Sequence, residues 1–136
     1  MALGHYQVGS IAVRVLTFER EAIDQAWWNL RIAVAYDVRR PLGLTDNPST
    51  TCYRLVHGEG DSLPGLVVDI YGPVAVIQCH SAGMYYARLQ IAEALRSVYG
   101  GRLTAIYDKS SQTLPFKAAL GAVDFSPGVH GFYLAV

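Results

Sequence analysis

Apolar and polar positions along this chain alternate in short bursts, settle into helical spacing, and then return to short bursts through the middle. From His5 to Leu16, Ile11, Val13 and Val15 alternate with Ala12, Arg14 and Leu16 after Gly9-Ser10, which predicts one or two strands. Glu19 to Val38 reads as a helix. Thr17 is its expected N-cap, acidic residues fill the first turn, and Ile23, Ala26 or Trp27, Leu30 and Val34 recur at helical spacing. Of Trp27-Trp28, one ring is expected inward and one at an interface, a packing role rather than base stacking. Arg39-Arg40-Pro41 should close the helix, since a residue before proline is pushed out of the helical region.

After a polar loop from Thr45 to Thr51, three strands follow: Cys52 to Val56, Gly65 to Ile70, and Val74 to Cys79. Tyr71-Gly72-Pro73 is short enough for a hairpin between the last two. Ser81-Ala82-Gly83 leads into a second helix to about Tyr99, with Tyr85, Leu89, Ala92, Leu95 and Tyr99 as its buried stripe and Gly100-Gly101 as its end. Leu103 to Tyr107 is a fourth strand of the central sheet, and Asp108 to Gln112 is a polar loop. The expected fold class is α+β: a mixed, largely antiparallel sheet of short strands with two main helices packed on one side. Asp124 to Val136 lacks clear periodicity and is expected to be an irregular tail.

Composition narrows the functions available. Hydrophobic residues make up 51% of the 136 positions and charged residues only 16%, so some apolar surface is expected to meet another domain or chain. Eleven basic and eleven acidic residues cancel, which excludes a global basic field; nucleic-acid binding would need a local patch. Cys52 and Cys79 lie in strand-like apolar runs and read as buried free thiols. No run reaches transmembrane length and the start lacks a signal pattern, so a soluble, cytoplasmic chain with no membrane role is expected.

The chemistry-bearing residues concentrate in the loop from Gly58 to Gly65. Pro64-Gly65 fits the central positions of a type II turn. Glu59 and Asp61 could bind a cation or act as acid and base, but the plainer expectation is that both accept hydrogen bonds from the loop's own amides. His57 is more readily a hydrogen-bonded loop histidine than a ligand. No metal site and no catalytic residue is expected. Cys79-His80-Ser81 invites a nucleophile reading, which adjacent positions on a strand do not support because they face opposite ways. Arg54 entering the loop and Lys109 after a strand end are candidate phosphate contacts, with Tyr107 offering a stacking face. A glycine-rich strand-to-helix turn for a dinucleotide or S-adenosylmethionine is missing, and Gly58-Glu59-Gly60 runs into a strand instead of a helix.

Arg54 to Gly72, Ser81-Ala82-Gly83-Met84 and Ile106-Tyr107-Asp108-Lys109-Ser110 together resemble the S-adenosylmethionine-dependent RNA methyltransferases related to ribosomal large-subunit methyltransferase I. Gly4 to Leu16 is similar to the closing strands of the PUA (RNA-binding) domain in that family. The resemblance runs from about Ala2 to Leu120 and lapses after about Val123. It implies three parts: residues 1–17 as the end of a PUA-like domain, 18–123 as a central α+β domain, and 124–136 as an atypical tail. In the family, a further Rossmann-like domain holds the cofactor and a cysteine that attacks cytosine so that its 5-position is methylated. Neither Cys52 nor Cys79 matches that motif, so no catalytic role carries over to either, and because the resemblance does not include the cofactor domain, no cofactor site and no independent activity are expected of this chain.

The resulting expectation is a fragment of a cytosine-5 rRNA methyltransferase that orients RNA. Arg54 and Lys109 are its RNA contacts, and the loop of Glu59, Asp61, Pro64 and Gly65 is architectural. The alternative is a self-associating interaction module with no RNA role; exposed apolar surface makes a homo-oligomer the expectation in either case.

Overall fold

The structure is a computed structural model that describes residues 1–114 and the backbone of 132–135. β1 (Leu3–Tyr6) and β2 (Val13–Thr17) form an antiparallel hairpin. After α1 (Gln25–Arg39), β3 (Cys52–His57), β4 (Leu66–Tyr71) and β5 (Val74–Cys79) form an antiparallel meander. α2 (Ala82–Tyr86) and α3 (Arg88–Tyr99) then carry the chain over to β6 (Ala105–Asp108), which pairs parallel to β5. A parallel neighbour needs such a crossover, whereas the two-residue Gly72-Pro73 turn suffices between antiparallel β4 and β5. β7 (Phe132–Ala135) adds antiparallel to β6, giving the order β3-β4-β5-β6-β7. The fold is α+β, as the pattern predicts.

The sheet has one buried and one open face. Leu66, Val68 and Ile70 of β4 and Ala75, Ile77 and Cys79 of β5 enter the core, while Val67, Tyr71, Val74, Val76 and Gln78 between them stay partly or fully exposed. This period of two is the strand alternation made physical. α1 and α3 pack together and share the core with the buried face through Trp28, Ile32, Ile91 and Leu95. On β3 the register slips between Arg54 and Val56, so that Leu55 and Val56 are both fully buried.

Both helices depart from their expected limits. Thr17 ends β2 and its hydroxyl accepts from the Glu19 amide, capping a turn rather than a helix. Asp24 is the N-cap of α1, accepting from the Trp27 amide at 3.0 Å, and the first turn holds no acidic residue. The buried face is also rotated from the expected one. Trp28, Ile32, Ala35 and Tyr36 face the core, whereas Leu30 and Val34 are exposed. Apolar residues nearly encircle this helix, so periodicity alone leaves its phase open. Both tryptophans are buried, edge to face at 4.9 Å, instead of one inward and one at an interface. Arg40 stays helical before Pro41, and a 3₁₀ turn (Arg40–Leu42) continues the helix until Gly43 ends it.

The second helix is divided. Ala87, in the right-handed helical region but with ψ relaxed to near 0°, separates α2 from α3, and Leu89 of the expected stripe is exposed. Tyr85, Ala92, Leu95 and Tyr99 of that stripe are buried. Of the tail 124–136, Phe132–Ala135 form a strand rather than irregular chain, paired to β6 by backbone bonds that need no side-chain periodicity; the rest of it lies outside the described residues.

Gly83 allows the hairpin to sit on α2. A Cβ there would lie 2.1 Å from His5 Cγ, inside any tolerable contact. Gly83→Ala is therefore expected to lower stability by about 2 kcal/mol through overpacking. Urea unfolding measures the loss, and faster amide exchange in residues 3–17 would place it at the hairpin.

Candidate functional site

The loop between β3 and β4 is built from inside. Gly58 to Asp61 make a 3₁₀ turn, Leu63 is buried, and the Leu66 amide donates to the Leu63 carbonyl across Pro64-Gly65. Gly65 takes a φ of +84°, the positive value that a type II turn requires at that position. Its missing side chain also leaves room for neighbours: a Cβ would lie 3.0 Å from Ser81 Oγ and 3.5 Å from Arg14 Cδ. The Gly65 carbonyl in turn accepts from the His80 amide at 2.8 Å, attaching the loop to the end of β5.

Asp61 holds this loop to α1. Both of its oxygens face the Arg39 guanidinium, one pair of atoms lying 2.8 Å apart, and Oδ2 also accepts from the His57 amide at 2.6 Å. Arg39 Nε donates to the Arg54 carbonyl as well, so a single guanidinium joins the helix end, the loop and β3. Burial alone would raise the Asp61 pKa, but the Arg39 and His57 hydrogen bonds outweigh it and hold the carboxyl below its ordinary value. Asp61 thus accepts hydrogen bonds both from a guanidinium on α1 and from a backbone amide at the start of its own loop. Glu59 differs: it is exposed and lines a groove of about 620 Å³ with Arg14, Arg31 and Pro64. Glu59 and Asp61 do not form a metal cluster with a third His, Cys, Asp or Glu among the described residues.

The open sheet face carries the two candidate RNA contacts. Arg54 lies opposite Asp69 and binds it with two hydrogen bonds of 2.8 and 3.0 Å, while Nη1 lies 3.3 Å from His57 Nδ1. The register continues from Asp69 to Val76 and on to Tyr107, so Arg54 and Tyr107 share one row across four strands. Three strand spacings put them about 14 Å apart. Lys109 follows β6, its amide donating to the Ile77 carbonyl and its side chain exposed with no ion pair to any described residue.

Beneath Lys109 is a network whose roles the sequence reading did not assign. Asp108 accepts from the Ser110 amide and hydroxyl and lies 3.6 Å from Arg88 Nε. Ser110 Oγ accepts from the Cys79 amide, and Thr113 Oγ1 donates to the Cys79 carbonyl. The legible signal was Asp108-Lys109-Ser110, the spacing of an aspartate turn that bonds its own amide two residues on. This network fixes the segment that presents Lys109. Cys79 is buried within it, and burial pushes its thiol up to about 12. Cys52, expected to be buried, is exposed at the end of edge strand β3, where a terminal edge position has no neighbour on one side.

No family model matches the chain. Among solved structures, a Streptococcus mutans protein assigned as a SAM-dependent methyltransferase superposes with a TM-score of 0.66 at 23% identity, over 79% of this chain and 27% of that one. A second, a methyltransferase complexed with SAH, gives 0.66 at 22% identity over 75% and 26%. The fold is therefore one found within methyltransferase chains. Ribosomal RNA large subunit methyltransferase I of Klebsiella pneumoniae is 39% identical over 122 residues, 88% of this chain and 30% of its own length. The Shigella boydii protein of the same name is 39% identical over 112 residues, 81% and 27%. The chain belongs to the ribosomal RNA large subunit methyltransferase I family and spans about 30% of the length of the curated relatives it matches.

The described residues do not fit S-adenosylmethionine. At the β5-to-α2 junction the Ser81 side chain caps the Met84 amide, and the Ala82 amide donates to Gln7 Oε1, so these groups are already engaged. The acidic end of β6 is held by Ser110 and Arg88.

Two outcomes are expected. Asp61→Asn should lose about 3 kcal/mol at pH 7, since it breaks a largely buried ion pair. Because the folded Asp61 pKa is lowered, this contribution is full above the ordinary aspartate value and disappears as pH falls through the folded value. Wild type and variant should therefore converge in stability as the pH is lowered below the ordinary aspartate range, as read by urea unfolding. In thiol labelling of the native protein, one equivalent (Cys52) should react quickly and Cys79 only after denaturation; two fast equivalents would contradict the buried-thiol assignment.

Proposed function

We propose that this chain is the RNA-orienting part of an S-adenosylmethionine-dependent rRNA cytosine-5 methyltransferase acting in the cytoplasm. Residues 1–17 correspond to the end of its PUA-like domain and 18–123 to its central domain. The observation that carries the reading is the 39% identity to rRNA methyltransferases across 88% of the chain. Lys109 and Arg54 are its RNA contacts. Lys109 supplies an exposed ammonium for a phosphate, on a segment fixed by Asp108 and Ser110. Arg54 is half-exposed and oriented by Asp69, which leaves part of its guanidinium edge toward solvent. An RNA strand touching both would cross the open face beside Tyr107. Cofactor binding and nucleophilic attack belong to other residues than those described, because no group here matches them.

The expected behaviour is measurable on the chain itself. A single-stranded nonauridylate should bind in a salt-dependent manner. Lys109→Glu should weaken it about tenfold and lower the salt slope by about one, with an unchanged circular dichroism spectrum. Equal affinity for wild type and variant would remove Lys109 from the interface. Micromolar binding of S-adenosylmethionine by calorimetry would overturn the assignment of the cofactor elsewhere.

A further inference from the structure

Arg54 is held more firmly than a contact with a phosphate requires. Its Nε and Nη2 donate to the two carboxylate oxygens of buried Asp69 at 2.8 and 3.0 Å. Its Nη1 lies 3.3 Å from His57 Nδ1, and because a guanidinium only donates, the imidazole nitrogen is the acceptor. Residues three apart on a regular strand face opposite ways. The register slip between Arg54 and Val56 returns His57 to the face that carries Arg54. A guanidinium has five N–H groups, so two remain, on a side chain that is 46% exposed. The fork cannot turn without breaking the Asp69 pair, and its remaining donors keep a fixed direction.

Arg54, His57, Asp69 and Tyr71 line one groove of about 590 Å³. Tyr71 is 52% exposed and lies two residues beyond Asp69 on the same face of β4, which makes it the diagonal cross-strand neighbour of Arg54. Arg39 also lines the groove, but Asp61 matches its charge as Asp69 matches that of Arg54. A phosphate gains little from guanidinium groups already paired, and it would meet the Asp69 carboxylate. An uncharged pair of acceptors escapes that repulsion, and the open tyrosine ring beside the fork suits a flat ligand. Guanine presents O6 and N7 side by side, and cytosine presents O2 and N3. Adenine and uracil alternate donors with acceptors along their edges and offer no such pair.

We propose that this groove holds one unpaired RNA base with two adjacent acceptor atoms, guanine or cytosine, on the Arg54 fork and against the Tyr71 ring. Asp69 and His57 are positioning residues that fix the fork. The inference rests on the RNA-binding reading above and adds base selectivity to it: Lys109 takes a phosphate and Arg54 a base.

The test compares nonauridylate with three nonamers that carry a central adenosine, cytidine or guanosine in the same uridylate run, by fluorescence anisotropy. Central guanosine or cytidine should tighten wild-type binding about tenfold over adenosine and uridine, and the one that gains identifies the base. Arg54→Lys keeps the charge but not the fork, and should bind all four as wild type binds nonauridylate. Asp69→Asn should lose most of the discrimination while binding nonauridylate no more weakly than wild type. Tyr71→Ala should weaken binding of the preferred nonamer about tenfold, with an unchanged circular dichroism spectrum. Equal affinity of wild type for the four nonamers, or discrimination retained in Arg54→Lys, would overturn the base site while leaving the RNA reading intact. No binding of any of the four by wild type would overturn both.

Discussion

The ion pair between Arg39 and Asp61 is the constraint on which the arrangement of this molecule turns. α1 contributes Trp28, Ile32, Ala35 and Tyr36 to the core, and the ion pair adds a specific attachment of its last residue to the β3–β4 loop. Asp61 supplies that attachment from the loop, and Arg39 extends it to the Arg54 carbonyl on β3. The loop can present Asp61 because its backbone turns tightly at Gly58 and Gly65, and because Leu63 anchors its centre in the core. Removing either charge would leave the other largely buried and uncompensated, which is worse than never having built the pair. The glycine-rich segment is therefore a fastener, and its two carboxylates have separate fates.

That fastening divides the sheet's surroundings. One face is closed by α1 and α3. The other keeps Arg54, Val76 and Tyr107 in a single row and ends near Lys109. The end of β5 and β6 is immobilised by Asp108, Ser110 and Thr113, so the one exposed lysine among the described residues stands on a rigid support. The thiol nearest to it is deeply buried and held in its neutral form.

Much of this was legible in the chain, and the misses have common causes. The β4–β5 hairpin, the Pro64-Gly65 turn and the alternation in both strands were readable because local chemistry decides them: glycine and proline set the turns, and period two sets the faces. The phase of α1 was not, because Trp27, Trp28, Leu30, Ile32 and Val34 offer several equivalent stripes. The helix start was misplaced because Thr17 and Asp24 are both able caps, and only the β1–β2 pairing assigns Thr17 to a strand. The division at Ala87 has no sequence signal, since alanine favours helix; packing against the hairpin accompanies it. Arg54 stood out in the sequence only as a candidate, and its partner Asp69 lies fifteen positions on and is visible only through strand register.

By itself, then, the sequence determined the α+β class, the order of the main elements through β6, the shaped loop and the family, all of which depend on short-range patterns or on motifs carried in the chain. Only the tertiary structure decided which face of α1 is buried, that Asp61 binds Arg39 while Glu59 faces a groove, and that Cys79 is sealed and Cys52 exposed. It also brought Asp69 and Tyr71 beside Arg54 in one groove. Each of these depends on residues brought together from distant positions, where burial and the need to pair buried polar groups choose among arrangements that local propensity leaves equal.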